Sequence, residues 1–481
     1  MKNFTHKTLL ILGIFLTAVS CSKKNETSYS IRAFDSQTAK KIDSIADEFI
    51  KTKKALGYSI AIMHKKDTLY AKGFGFQDIN RTKPFTHETI FQIASVSKFI
   101  TSIAVLKLVE NGKLTLNTKV SDVLPSYPFK EDADKIEIKH LLQHTSGIRE
   151  YGFIADSLLA GIRDTIDSKV LFNLYNHLPT EFEAGSNFSY SNSGFLLVSL
   201  IVEEVTGKSY RDIIQDEVCE PLGLTVLDTW KNNSQKENIS LEFVLEDSTF
   251  IKSKFNEIKW LLGDGGLSAN SIELAQIPYL VFSESFLSKS LIDEILQSPH
   301  LKNGAISDYG LGLRKGELFK EPVWAHTGGG STSTNVLTYY PESEISIAIQ
   351  VNTDNTSLNA IEIESKILPI IFENSNVKLE PLKPDKEVLK EYEGFFVESP
   401  RYPHKKRIIQ AYVHNDGNLY RKIKGSQSIG QKLIPIGKET FIPDKLPLDR
   451  IVFDRNHKGD VIAMKDYYNG HFMALRNKEM E

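Results

Sequence analysis

Ser95-Val96-Ser97-Lys98 stands at the head of an apolar run, Ile100 to Val109, that stops at Asn111-Gly112. A run of that length closed by Asn-Gly reads as a buried helix, and a helix brings residues three apart onto one face. Any fold for this chain must therefore bury a helix whose amino end carries a serine hydroxyl beside a lysine ammonium. The same Ser-x-x-Lys spacing occurs at Ser20 and Ser375, the first inside an apparent targeting segment and the second in the polar stretch Glu373 to Asn376. Two further signatures follow in order: Tyr190-Ser191-Asn192 and His326-Thr327-Gly328-Gly329.

A serine hydroxyl is a poor nucleophile until a neighbouring base takes its proton, and lysine serves as that base only where burial or nearby cations disfavour its charged form. Taken alone, Ser95 could be a helix cap and Lys98 a solvated helix residue. The later signatures favour the catalytic reading. Tyr190 offers a phenol for proton transfer, and the glycines Gly328 to Gly330 let a strand backbone approach a substrate carbonyl closely.

With Leu141-Leu142-Gln143-His144-Thr145-Ser146-Gly147, Gly263-Asp264-Gly265-Gly266-Leu267 and Tyr309-Gly310-Leu311-Gly312, these signatures make the chain resemble the serine hydrolases related to class C β-lactamases and low-molecular-weight penicillin-binding proteins, from about Ile42 to Phe372. The resemblance implies an α/β (α+β) fold, an antiparallel sheet flanked by helices with a mainly helical subdomain. It also implies roles. Ser95 would be the acyl-accepting nucleophile, and Lys98 with Tyr190 would share general base and acid work. Asn192 would hold the substrate amide or the Lys98 side chain. The amide groups of Ser95 and Gly329 would form the oxyanion hole, on a substrate-binding strand that includes His326, Thr327 and Gly328. No metal or organic cofactor is required.

His326 stands where penicillin-recognising relatives carry lysine. A permanent cation is replaced by an imidazole that is mostly neutral at pH 7 and can donate or accept a hydrogen bond. The His-Thr-Gly form is similar to that of esterases, D-amino-acid amidases and penicillin-binding-protein-like members, so efficient β-lactam hydrolysis is disfavoured.

Two other patterns carry less. His140 and His144 lie four apart, but Leu141-Leu142-Gln143 lacks the glutamate of a His-Glu-x-x-His zinc helix, so a plain helix end is expected there. No Gly-x-Ser-x-Gly elbow occurs, which leaves the α/β-hydrolase reading of His144 with little support. Apart from Cys21, the only cysteine is Cys219, expected to be a packed structural thiol.

A hydrophobic content of 41%, a charged content of 25% and a net charge of -3 describe a soluble protein with no reason to bind nucleic acid. The expected partner is a small-molecule or peptide substrate. Lys2 and Lys7 precede an apolar run from Leu9 to Val19 too short to span a bilayer, a secretory signal over residues 1–20. Ala18-Val19-Ser20-Cys21 resembles a lipoprotein cleavage site that would leave a lipid on Cys21 and a tether over 21–35, although Ala18-x-Ser20 also suits an ordinary signal peptidase. Either route places the protein in the bacterial cell envelope, on the membrane through Cys21 in the first case and soluble in the periplasm in the second.

Along the chain, Ser36 to Ala55 reads as a helix, Tyr58 to His64 and Thr68 to Phe74 as a strand pair, and Gly194 to Thr206 as a helix ended by Gly207. Strands return at Val336 to Tyr340 and Ile345 to Val351, followed by a helix over Leu358 to Phe372. Lys231 to Trp260 fits the family pattern poorly and is either a flap or a surface excursion. The hydrolase domain is expected over 36–373, a charged, proline-containing linker over 374–386, and a small β-barrel, lipocalin-like, over 387–481 with seven strand candidates from Tyr392 to Asp466. Expected overall is an exported serine hydrolase acting through an acyl-serine on D-amino-acid-containing peptides or amides or on small esters. A β-lactamase and a non-catalytic penicillin-binding-protein-like sensor or binding module are the alternatives.

Overall fold

A computed structural model describes residues 34–52, 55–125, 133–152, 166–253, 256, 260–283, 286–329, 333–353, 359–372, 381–398 and 407–479. The targeting segment with Cys21, and Gly330, lie outside the described residues.

Helix α1 (Ser36–Lys51) leads into a hairpin of β1 (Gly57–His64) and β2 (Asp67–Gly75). With β3 (Arg314–Leu318), β4 (Glu321–Gly329), β5 (Thr334–Tyr340) and β6 (Ile345–Val351) they form a sheet in the order β2-β1-β6-β5-β4-β3, antiparallel at every pairing. Successive side chains of a strand point to opposite faces, and both faces are covered. Tyr58, Ile60 and Ile62 of β1 join Ile345, Ile347 and Ile349 of β6 against α1 and α5 (Asn359–Ile371). Ala61, Met63 and Ala348 point the other way, into a second core with α4 (Ser271–Ser283), α2 (Ser97–Glu110) and α3 (Asn192–Thr206). Covered on two sides, the central strands lose polar alternation and read as continuous apolar runs. Helix α2 is buried all round for the same reason: every residue from Ser97 to Leu106 is inaccessible.

The elements read from the sequence occur in the expected order, and the structure adds others, among them α4 and a hairpin in the 231–260 segment. Helix α4 was not marked by the pattern because Pro278 sits within it. The 231–260 segment contains a two-stranded hairpin, Phe243–Glu246 with Thr249–Lys252, whose foot is tied down by the buried carboxylate of Glu242 accepting from Ser333.

Eight antiparallel strands close the second unit into a barrel: β7 (Gly394–Glu398), β8 (Ile408–Val413), β9 (Leu419–Ile423), β10 (Gln431–Pro435), β11 (Thr440–Pro443), β12 (Arg450–Arg455), β13 (Val461–Tyr468) and β14 (His471–Lys478). Tyr392, Phe396, Phe441 and Phe453 meet in tilted and edge-to-face pairs at 4.9–5.5 Å and occupy its core with Leu419, Leu433 and Ile451. Strand β14, which closes the barrel by pairing with β7, was not anticipated. Its residues are buried on both sides, one facing the barrel and the other facing the hydrolase domain, so the alternation that marks a barrel strand is absent.

The barrel does not hang free. Lys465, nearly inaccessible, lies 2.9 Å from both Asp308 and Asp454, and Tyr467 donates to the same Asp308. Gly470, at the tip of the β13–β14 hairpin, packs so closely on Gly316 of β3 that a β-carbon there would lie 1.7 Å from the Gly470 carbonyl oxygen. The free edge of the main sheet is thereby covered.

Candidate active site

Ser95 does not begin the regular helix. It sits in a one-turn 3-10 segment, Ala94–Val96, immediately before α2, and Ala94 is held at φ 46°, a left-handed conformation unfavourable for alanine. This turn lifts Ser95 to partial exposure while Lys98, one turn on, is fully buried. The Lys98 Nζ lies 3.0 Å from Ser95 Oγ, 2.7 Å from Asn192 Oδ1, and within hydrogen-bond distance of the Asp264 carbonyl oxygen. It also sits 5.0 Å from the Tyr190 ring centroid and 5.6 Å from that of Phe195. The serine–lysine separation is within reach of direct proton transfer.

Asn192 is the first residue of α3, and two neighbours fix its amide. Its Oδ1 accepts from Lys98, and its Nδ2 donates to Glu150 Oε1 at 3.1 Å. Of the two roles expected for Asn192, the geometry provides the lysine-holding one. Glu150 is buried at the amino end of α3, accepting from the Asn192 backbone at 2.5 Å and from Ser193 at 3.4 Å, where the helix dipole favours a negative charge. Burial nevertheless pushes its carboxyl above the usual range, against those hydrogen bonds and the Lys98 charge. Asp264 behaves alike: burial raises it, Lys98 opposes, and its carboxyl accepts from Tyr151 at 2.5 Å and from the Leu262 backbone at 3.0 Å. Two buried acids thus surround the lysine. Arg149-Glu150 reads in sequence as a solvated charged pair, so nothing local announced Glu150; Asp264 lay within a recognised glycine-rich segment but without a role.

The Tyr190 ring is bounded by His144 at 4.2 Å, Tyr309 at 6.2 Å and His326 at 6.4 Å. His144, at φ 59°, accepts from the Ser191 backbone through Nδ1 at 3.0 Å and so clamps the tyrosine loop. His140 points elsewhere, its Nδ1 accepting from the Glu137 backbone, and among the described residues no cluster suits a metal ion.

His326 is fully buried, with both nitrogens engaged: Nδ1 donates to the Thr327 carbonyl at 2.7 Å, which leaves Nε2 to accept from the Tyr309 hydroxyl at 2.8 Å. A substrate contact by this ring would require breaking one of those bonds. Burial, then the charges of Arg314 and Lys98, push the imidazole well below its ordinary 6.5. Two residues on, Gly328 passes the serine turn so tightly that a β-carbon would sit 2.2 Å from the Ile93 carbonyl oxygen. Gly329 is exposed, and a β-carbon on it would meet nothing closer than 3.9 Å among the described residues.

The neutral imidazole has a consequence for stability. Below about pH 6.5 an unfolded histidine binds a proton that folded His326 refuses, so the unfolded state holds more protons and stability falls as pH drops. Between pH 7.5 and 5.5 the melting temperature is expected to fall more steeply in wild type than in His326→Gln, the extra loss of unfolding free energy reaching up to about 1.4 kcal/mol per pH unit below 6.5. Parallel curves for the two proteins would refute a neutral His326.

The β-lactamase family model matches residues 42–367, about two thirds of the chain. The chain belongs to the β-lactamase family. It is a serine hydrolase of the β-lactamase/transpeptidase type, with the barrel as an appended unit. The family match covers all three signatures, at Ser95, Tyr190 and His326. Penicillin-binding protein 4* of Bacillus subtilis (strain 168) is 27% identical over 309 residues, 60% of this chain and 67% of that one. Protein flp of Staphylococcus aureus (strain MRSA252) is 30% identical over 224 residues, 46% of this chain and 44% of that one. The octameric penicillin-binding protein homologue from Pyrococcus abyssi aligns over 91% of this chain and 99% of its own, with a TM-score of 0.61 and 23% identity. The D-amino acid amidase from Ochrobactrum anthropi SV3 aligns over 70% and 99%, with a TM-score of 0.59 and 18% identity. Identities this low establish a shared fold for the β-lactamase-family chain and those two structures. Among the described residues no helix is long and apolar enough to cross a membrane.

Proposed function

We propose that this chain is an exported hydrolase that forms an acyl-enzyme on Ser95 and acts on D-amino-acid-containing peptides or amides, or on small esters. The observation that carries the reading is the 3.0 Å approach of Ser95 Oγ to a fully buried lysine whose other acceptors, Asn192 and the Asp264 carbonyl, hold it in place. In this reading Lys98 and Tyr190 take the Ser95 proton as the hydroxyl attacks the carbonyl carbon, and return it to the leaving group when the tetrahedral intermediate collapses. The amides of Ser95 and Gly329 face the oxyanion. Water then repeats the attack on the acyl-serine. A β-lactamase is disfavoured because the position that carries a cationic lysine in penicillin-recognising relatives here holds a neutral, buried imidazole. The D-amino-acid amidase likeness favours the amide class. The amino-terminal pattern through Cys21 favours export and a lipid anchor on that cysteine.

The test is multiple turnover of a short-chain p-nitrophenyl ester and of paired D- and L-amino-acid amides, with intact-mass detection of the adduct and its location by peptide mapping. Turnover with an adduct on the Ser95 peptide, and preference for the D-amide, is the expected result. An adduct that never clears would make the chain a sensor. Absence of both turnover and adduct would remove the hydrolase reading for these substrates.

A further inference from the structure

Tyr190 is the one proposed catalytic group whose surroundings come from both units of the chain. Phe188 and Tyr190 of its loop pack with Tyr309 against Ala463, Phe472 and Leu475 of the barrel, the Phe188 and Phe472 rings meeting at 5.6 Å. Arg314, the first residue of β3, is 4% exposed and places its guanidinium carbon 5.5 Å from the Tyr190 ring centroid and 5.7 Å from that of Tyr309. Its Nη1 donates to the Phe472 carbonyl at 2.7 Å and to the Met473 carbonyl at 3.4 Å, both on β14.

The hairpin that presents those carbonyls is itself anchored in the hydrolase domain. Asn469, at φ 49°, donates through Nδ2 to the Ile361 carbonyl and to Glu364, each at 3.0 Å. His471 Nε2 lies 3.3 Å from the same Glu364 carboxylate, with both side chains fully buried, and Gly470 abuts Gly316. Five consecutive residues, Asn469 to Met473, therefore hold the arginine from one side while gripping α5 and β3 from the other.

We propose that Arg314 is a positioning residue for Tyr190, set in place by the last hairpin of the barrel, and that the barrel is thereby part of the catalytic unit. The inference rests on the reading of Tyr190 as a proton-transfer group. Negative charge that develops on a phenol is stabilised by cations within a few ångströms. The titratable or charged groups facing Tyr190 are Lys98 from α2, His144 from its loop, Tyr309, His326 from β4 and Arg314 from β3. Of these, His326 is neutral, and Lys98 must give up and take up protons during the reaction. Arg314 alone keeps its charge throughout the cycle, and it replaces in this site the permanent cation that position 326 lacks.

The experiment compares the acylation rate against pH for wild type, Arg314→Lys and Arg314→Gln, with circular dichroism and thermal melts as controls for folding. Glutamine keeps a donor for the β14 carbonyls and removes the charge. Arg314→Gln is expected to move the rising limb of the profile to higher pH by about one unit, to lower kcat about tenfold at pH 7 and to leave KM within about threefold. Arg314→Lys should keep the limb in place. A folded Arg314→Gln whose limb does not move, or an equal displacement in the lysine and glutamine variants, overturns the proposal. Should Arg314→Gln not fold, Asn469→Ala loosens the hairpin without touching the arginine. It is then expected to lower kcat about threefold to tenfold with KM unchanged, and an unaltered kcat overturns the proposal. A wild type that does not turn over removes the underlying hydrolase reading and this inference with it, whereas an active wild type with an unmoved limb removes the inference alone.

Discussion

Ser95→Ala is expected to lower turnover by about 10⁴-fold or more, and Lys98→Ala to lower the acylation rate by about 10²- to 10⁴-fold. The double variant should be no slower than Ser95→Ala by itself. The argument is geometric. Lys98 reaches the substrate only through Ser95 Oγ, 3.0 Å away, and its remaining hydrogen bonds go to Asn192 and the Asp264 carbonyl. Groups that act as one unit fail together, so their separate losses do not add. Removal of the ammonium also leaves the buried acids Glu150 and Asp264 without the cation that opposes their protonation. Lys98→Ala should therefore be read beside Lys98→Met, which keeps most of the volume. Acylation rates measured by stopped-flow with a chromogenic ester decide the matter: a change below about threefold in Lys98→Met would mean that the lysine is not part of the base.

What the sequence made legible is the part of the site fixed by local spacing. Ser95 and Lys98 are three apart, and Tyr190 and Asn192 flank a helix start capped by Ser191. The glycines of β4 sit beside a strand pattern. None of these needs long-range information. The strain at Ala94 was invisible because alanine carries no signal for a left-handed conformation; it is imposed by the turn between Ile93 and α2. Glu150 and Asp264 were hidden by their chemistry, since an isolated acid in sequence looks solvated and only tertiary packing makes it buried. Arg314 was hidden because its partners lie on β14, about 160 residues further on.

The barrel follows the same logic. Seven of its strands show turn signals and alternation, and the eighth, β14, follows the Asn469-Gly470 turn. The run after it, with His471, Arg476 and Lys478 among apolar residues, does not look like a barrel strand. Its burial on both faces records a docking surface, which is a property of the assembled chain and not of the strand.

Gly328→Ala is the second change expected to have a large effect. A β-carbon at that position would lie 2.2 Å from the Ile93 carbonyl oxygen and 3.3 Å from the Ala94 β-carbon. The obstructing atom is backbone, so no side-chain rotation relieves the clash, and β4 must part from the turn that carries Ser95. That turn is already strained at Ala94 and is held from behind by α2, which is buried all round. The movement therefore falls on the distance between Ser95 and Gly329, the two backbone donors proposed for the oxyanion. A displacement of about 1 Å at such a site costs on the order of 10²-fold in rate, and loss of one oxyanion donor about 10²- to 10³-fold. Overpacking should also lower stability by about 1–3 kcal/mol. Gly329→Ala provides the contrast for stability, because among the described residues its added carbon meets only the Ser333 carbonyl at 3.9 Å and its melting temperature should match wild type. If Gly328→Ala melted with wild type and kept kcat within about threefold, β4 would have room to move and the proposed oxyanion pairing of Ser95 with Gly329 would lose its geometric basis.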